Sequence, residues 1–332
     1  MSSATEWIAN LPWHTVVIVI IVLIGLRFAL LRLDSAFAKS AAETAESLAL
    51  AMGLVFLVIR PFFVQAFYIP TQSMEPTLMG HNYGYERIHD HILVNKSVYR
   101  IREPRHGDIV VFKAPPEALG ISADLSSDEM PKQMDYIKRV VAVEGDKLYI
   151  KPGYLIVDGD MYDRVRLIQQ VAQYESIPPE KIRIRYKSDG VYINGLRATD
   201  EQLANYMGRV NPKIEVNPGY VVRNGVKLDE PYIAEDPDLP YPWNGTIDFF
   251  DSDRGNMVKE FFQDAINDGK LHLKQDKDGQ EYVEVGKDYV FVMGDNRNHS
   301  SDSRFWGPVH EDRIQGRALF VFWPINRIHW VR

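Results

Sequence analysis

The sequence predicts a mainly β protein, with N-terminal transmembrane helices followed by an antiparallel β-sandwich or open-barrel domain that carries an inserted lobe. Three observations support this. Trp7 to Leu26 contains no Asp, Glu, Lys or Arg. A second apolar run, Ser47 to Ile59, follows it. From residue 61 onward the texture changes to short β-rich runs broken by Gly, Pro, Asn and Asp.

The first run, "WIANLPWHTVVIVIIVLIGL", is long enough for one membrane crossing, at about 7–26. A cleaved leader would begin with basic residues, whereas here only Glu6 precedes the run and the basic residues follow it. The second run, "SLALAMGLVFLVI", is short by itself. It reaches spanning length, at about 41–60, if its helix starts near Ala41 and Arg60 snorkels. Arg27, Arg32 and Lys39 lie between the two runs, and no Lys or Arg occurs before them. The positive-inside tendency therefore places the connecting loop in the cytoplasm and everything after residue 60 outside it.

Beyond the anchor (residues 1–60), the sequence divides into a β core, 61–157 and 286–332, and an inserted β-rich lobe with short helices, 158–285. Runs such as "GDIVVFKAP", "DYIKRVVAVEGD", "GYVVRNGVKL" and "KDYVFVMGDN" read as strands. Asp158-Gly159, Asn194-Gly195 and Asn224-Gly225 have the composition of tight hairpin turns. Two stretches read as helices instead, Asp200 to Met207 and Asn256 to Asp268. The second would place Val258, Phe261, Phe262 and Ala265 on one face.

Composition narrows the functions. A formal charge of −7 argues against a nucleic-acid binder. The absence of cysteine excludes disulfides, thiolate zinc sites and a cysteine nucleophile. "HDH" at 89–91 lacks a third ligand at metal-site spacing. "DSDRGN" at 251–256 imitates a calcium loop, but Phe262 stands where the closing Glu belongs. No glycine loop for phosphate is present, so no nucleotide is expected; with both metal motifs rejected, the expectation is neither metal nor cofactor.

The chemistry is concentrated in "IPTQSMEPTL", Ile69 to Leu78, where Ser73 stands between two prolines directly after apolar sequence. A serine hydroxyl needs a base to become a nucleophile. The sequence has nine histidines, none in a recognisable triad motif. The alternative base is a lysine made neutral by burial; lowering its pKa from about 10.4 to about 8 costs the charged form roughly 3 kcal/mol. "DYIKRVVAVEGD" offers Lys138, which shares a strand face with Tyr136, Val140 and Ala142, while Ile137, Arg139 and Val141 take the other. The competing reading leaves Lys138 in solvent on a half-exposed strand, with Arg139 a surface or interface charge. A third segment, "GDNRNHSSDSRFWGPV", is rich in turn formers. In it Asp302 and Arg304 can pair, and Ser300 or Ser301 can hold an amine.

Taken in order behind the apolar runs, "PTQSMEPTL", "YIKRVVAVEGD" and "GDNRNHSSDSRFWGPV" resemble the bacterial type I signal peptidases. "GVKLDEPYI", Gly225 to Ile233, resembles a further segment of that family. The resemblance covers roughly Phe62 to Lys151 and Asp229 to Trp323. It implies that Ser73 is the acylating nucleophile and Lys138 the general base. Thr71 would supply a hydroxyl that joins the Ser73 backbone N–H in an oxyanion hole. Ser300 would orient the lysine, and Asp302 and Arg304 would form a supporting ion pair. The family often has a small apolar residue where Ser301 stands, which leaves both serines as contacts for Lys138.

The implied activity is removal of signal peptides from exported preproteins, with small residues recognised at the first and third positions before the cut. Phe67, Ile69, Pro70, Met74 and Tyr136 are the expected pocket residues. The implied location is the inner (plasma) membrane, multi-pass, with the catalytic domain extracytoplasmic. The implied partners are signal peptides, the phospholipid bilayer and the export translocon. Three other readings remain: a Ser/Lys peptidase dedicated to one specialised substrate, a catalytically silent membrane-anchored scaffold, and a self-cleaving repressor protease. The apolar runs and the negative charge disfavour the last.

Overall fold

The computed structural model describes residues 12–33, 35–83, 86–120, 134–187, 189–242 and 252–331. Residues 7–11 of the first expected span lie outside them. The described residues form a mainly antiparallel β protein with a few helices. They fall into two compact units, one comprising residues up to Tyr68, Asp90–Glu103 and Gly316–Val331, the other Ile69–His89 and Pro104–Gln315.

The first unit opens with a helix, Trp13–Leu30, followed by a second, Ala36–Gly53, which runs on through a π-helical turn, Leu54–Ile59. The second helix starts before the expected residue 41. Lys39, Glu43 and Glu46 are tolerated in its first turns, where alanines bury a narrow face: Ala38, Ala42, Ala45 and Ala49 recur at helical spacing and are buried. Arg27 and Glu46 pair across the two helices at 2.9 Å. Ala36–Ile59 is long and apolar enough to cross a membrane; His14–Leu30 is apolar but shorter. The same unit holds the antiparallel pair Val64–Tyr68 and His91–Asn95, the latter also paired with Ile314–Trp323. "HDH" is absorbed structurally: Asp90 takes both arms of the Arg327 guanidinium, at 2.8 and 3.0 Å, and His91 stacks between Tyr68 and Phe322.

The second unit holds Ser73 and Lys138. Its antiparallel strands run Ile109–Lys113, Asp135–Ala142, Tyr289–Met293 and Val309–His310 in spatial order. A second sheet has the order Val226–Lys227, Tyr220–Arg223, Lys147–Lys151, Glu281–Val285, Leu271–Gln275. One apolar core draws on both sheets through Val141, Leu148, Ile150, Val221, Val283 and Phe291. The helix Ser252–Asn267 adds Ala265 and Phe262 to that core, on the face its periodicity predicts.

The part between residues 154 and 217 has a core of its own, built on Leu155, Leu167, Val171, Ile184, Tyr186 and Leu203. Its helices are Arg164–Glu175 and Asp200–Tyr206; Thr199 and Gln202 close a capping box at the start of the second. Asn194 and Gly195 both adopt positive φ, 50° and 86°, which the twist of a two-residue hairpin demands. Tyr220–Arg223 and Glu281–Val285 lie inside the 158–285 range but pair with Lys147–Lys151. Lobe and core therefore interleave along the chain.

Candidate active site

Lys138 sits on the strand Asp135–Ala142, which is paired on both edges: Val110 lies opposite Lys138, and Met293 opposite Arg139. A central strand packed on both faces leaves little solvent for any side chain, and Lys138 is only 5% exposed. Its Nζ lies 2.8 Å from Ser73 Oγ and donates to the Ile137 carbonyl at 3.0 Å. The Tyr136 ring lies beside it, 5.7 Å from Nζ. Burial pushes the ammonium down, the Asp302 and Asp295 carboxylates pull it back up, and Arg304 lowers it again. The balance is a pKa of about 8.

Ser73 lies in a 3₁₀ turn, Gln72–Met74, and is buried. Thr71 Oγ1 is 3.3 Å from Ser73 Oγ. The turn is held from behind: the Asn296 backbone N–H donates to the Ser73 carbonyl, and Asn296 Nδ2 to the Gln72 carbonyl, both at 3.1 Å. Two glycines allow this close packing. A Cβ on Gly80 would strike the Thr71 backbone, and one on Gly294 would strike Ser300 Oγ and the Ser73 carbonyl.

Asp302 and Arg304 pair as expected, through two 2.8 Å hydrogen bonds, and both are buried. Burial alone would raise the Asp302 carboxyl; Arg304 and the Gly294 N–H, at 3.0 Å, hold it below the usual carboxylate range. Of the paired serines, Ser300 is buried and packs on Gly294, whereas Ser301 is exposed. Ser300 Oγ makes no hydrogen bond to Lys138 in this arrangement.

The expected pocket residues separate. Pro70 is exposed and Tyr136 half-buried, while Ile69 and Met74 are enclosed at 2% and 0% exposure. Phe67 lies half-buried on the strand Val64–Tyr68 of the first unit.

Arg139 corrects the sequence reading. Instead of a surface charge it is a fully buried cation, 2% exposed, with Nε and Nη2 on the two Asp295 oxygens at 2.8 and 2.7 Å. Its guanidinium lies 3.8 Å from the Tyr232 ring centre, and Thr77 Oγ1 adds a 2.5 Å bond to Asp295. Arg297 is buried in the same way, on both oxygens of Glu230 at 2.9 and 2.6 Å. Sequence reasoning missed Asp295, Asn296, Arg297 and Glu230. The available signal was a second cation beside Lys138 in an apolar strand, because such a charge is buried only when paired.

A buried serine hydroxyl against a lysine whose pKa is lowered to about 8, with a second hydroxyl beside it, is the equipment of a serine hydrolase. The comparisons agree with that class and narrow it. The chain belongs to the family described as signal peptidase, peptidase S26, whose sequence model matches residues 41–179 and 175–323. A signal peptidase I of Aquifex aeolicus (strain VF5) is 30% identical over 272 residues, 81% of this chain and 80% of that protein. The signal peptidase I of Haemophilus influenzae (strain ATCC 51907 / DSM 11121 / KW20 / Rd) is 28% identical over 315 residues, 87% of this chain and 71% of the relative. Among solved structures, a signal peptidase I of Enterococcus faecalis V583 matches at 15% identity and a TM-score of 0.21, covering 65% of this chain and 97% of that one. A likeness that low does not bear on the fold.

Proposed function

We propose that this protein is a membrane-bound serine endopeptidase that removes N-terminal signal peptides from exported preproteins, with Ser73 as nucleophile and Lys138 as general base. The family membership and the relatives' names support the activity. The observation that carries the roles is the 2.8 Å separation of Lys138 Nζ from Ser73 Oγ, inside a site that keeps the lysine largely unprotonated above pH 8.

Neutral Lys138 takes the Ser73 proton as Oγ attacks the carbonyl carbon of the last signal-peptide residue. The oxyanion that develops is met by the Ser73 N–H and the Thr71 hydroxyl, donors aimed at charge that only the intermediate carries. As the C–N bond breaks, the Lys138 ammonium returns the proton to the departing amine. The mature chain leaves and an ester remains on Ser73. Water, deprotonated by Lys138, then attacks the ester and releases the signal peptide. An extended substrate is held by main-chain hydrogen bonds at a strand edge, with small side chains beside Pro70 and Tyr136.

Ala36–Ile59, a helix of spanning length, supports membrane attachment. The multi-pass arrangement, with the catalytic domain outside the inner membrane, is proposed from the Lys and Arg distribution around the two helices. Two sheets sharing one apolar core support the sandwich reading. The deciding experiment is cleavage of a preprotein in detergent by wild type, Ser73→Ala and Lys138→Ala. Both variants should be folded and inactive. Normal turnover by Lys138→Ala would remove the lysine from the mechanism.

A further inference from the structure

The loop that holds Ser73 from behind is itself held from outside by an acidic segment, Glu230 to Asp238. Glu230 takes both arms of Arg297, and the Ala234 N–H donates to the Asp295 carbonyl at 3.0 Å. Asn298 is gripped at every polar atom. Its Nδ2 donates to Glu235 Oε2 and to the Asp236 carbonyl, each at 2.9 Å, and its Oδ1 accepts from the Asp238 N–H at 3.0 Å. Only a primary amide of this length supplies two donors and one acceptor at these points.

The same segment is rooted in the lobe on its other side. Glu235 pairs with Arg185 at 2.5 Å, and the Asp236 carboxylate accepts from the Tyr186 and Gly219 N–H groups, both at 3.0 Å. Glu235 and Asp236 are almost fully buried, so these bonds are made out of water, where losing a partner costs most. At its inner end the held loop touches the reacting pair: the Asn296 N–H bonds the Ser73 carbonyl, and Gly294 packs between Ser73 and Ser300.

We infer that Glu230–Asp238 is a strap between the lobe and the Asp295–Ser300 loop, and that Asn298 is the positioning residue through which it holds the Ser73 turn against Lys138. The inference rests on the reading of Ser73 and Lys138 as the reacting pair. It assigns the lobe a purpose, as the fixed body against which the loop is braced. Asn298 touches neither reacting atom, so its effect is on geometry. A loosened loop lets the Ser73 oxygen drift from the lysine nitrogen and admits water around the amine. The lysine then recovers charge.

The test compares wild type, Ser73→Ala and Asn298→Ala on a preprotein substrate, with the pH dependence of kcat, and follows amide exchange of the Asn296 N–H. Asn298→Ala should lower kcat on the order of tenfold or more, with KM within about twofold. Its rising limb of activity should move to higher pH, and the Asn296 amide should exchange faster. A merely structural contact would lower the melting temperature without moving that limb. If Asn298→Ala does not fold, Asn298→Asp carries the same readouts; it keeps the side-chain size but loses both donors and faces Glu235. Wild-type kcat and an unmoved limb in the variant would overturn the inference. A wild type inert on preproteins whose variant still shows faster Asn296 exchange would overturn the peptidase reading and leave the strap standing.

Discussion

Arg139 and Asp295 meet through two hydrogen bonds of 2.8 and 2.7 Å, one residue along the strand from Lys138, with neither side chain open to solvent. The pairing matters to the lysine because Asp295 is one of two carboxylates that favour its charged form. A positive charge beside that carboxylate offsets part of its pull and so disfavours the lysine's charged form. Arg139→Ala should therefore act twice. It leaves a buried carboxylate unpaired, costing about 3–5 kcal/mol of stability in a urea titration. It also moves the rising limb of activity to higher pH.

Activity itself should climb with pH as Lys138 loses its proton. With the lysine at about 8, the neutral fraction rises about tenfold between pH 7 and pH 9 and then levels off. The initial rate of preprotein cleavage against pH measures this directly. A rate independent of pH over that window would exclude lysine as the base.

Lys138→Met should abolish cleavage yet stabilise the fold. The lysine's folded pKa is depressed below its unfolded value, so between about 8 and 10.5 the unfolded chain binds more protons and stability rises with pH. Below about 8 the cost of the buried charge is present in full, roughly 3 kcal/mol. Lys138→Met carries no such cost. Its unfolding free energy at pH 7 should exceed that of wild type by up to that amount, with the pH slope above 8 absent. A less stable Lys138→Met at pH 7 would contradict the burial argument.

Thr71→Val keeps shape and removes the hydroxyl 3.3 Å from Ser73 Oγ. Loss of one oxyanion donor typically costs about 10²–10³ in kcat. KM should hold, and Thr71→Ser should recover most of the rate.

Gly294→Ala tests the close packing without removing any polar group. The added methyl has no room between Ser300 Oγ and the Ser73 carbonyl, so the nucleophile turn must shift. A displacement near 1 Å is expected to lower kcat on the order of 10²-fold. Far-UV circular dichroism should show the fold retained.

The legible parts of this protein were those encoded by local pattern. Period-two runs and Asn-Gly or Asp-Gly punctuation marked strands and hairpins, because turn geometry is set within a few residues. The helix near 252–267 announced its buried face through Val258, Phe261, Phe262 and Ala265. Ser73 stood out because its flanking prolines and its place after an apolar run are unusual in themselves. Lys138 was legible as an apolar-strand lysine, but the sequence left its burial open. Arg139 was misread because alternation assigns its face without saying that both faces of a central strand are covered.

The sequence by itself determined which residues could react: a serine and a lysine, with no cysteine as rival, set in strands and turns behind apolar helices. The tertiary structure decided which of them meet. Cover on both faces of the strand keeps Lys138 and Arg139 out of water, and only contacts far apart in the chain, Lys138 with Ser73 and Arg139 with Asp295, make that burial tolerable. A pKa and a partner belong to an enclosure, and no enclosure is written in a segment read alone.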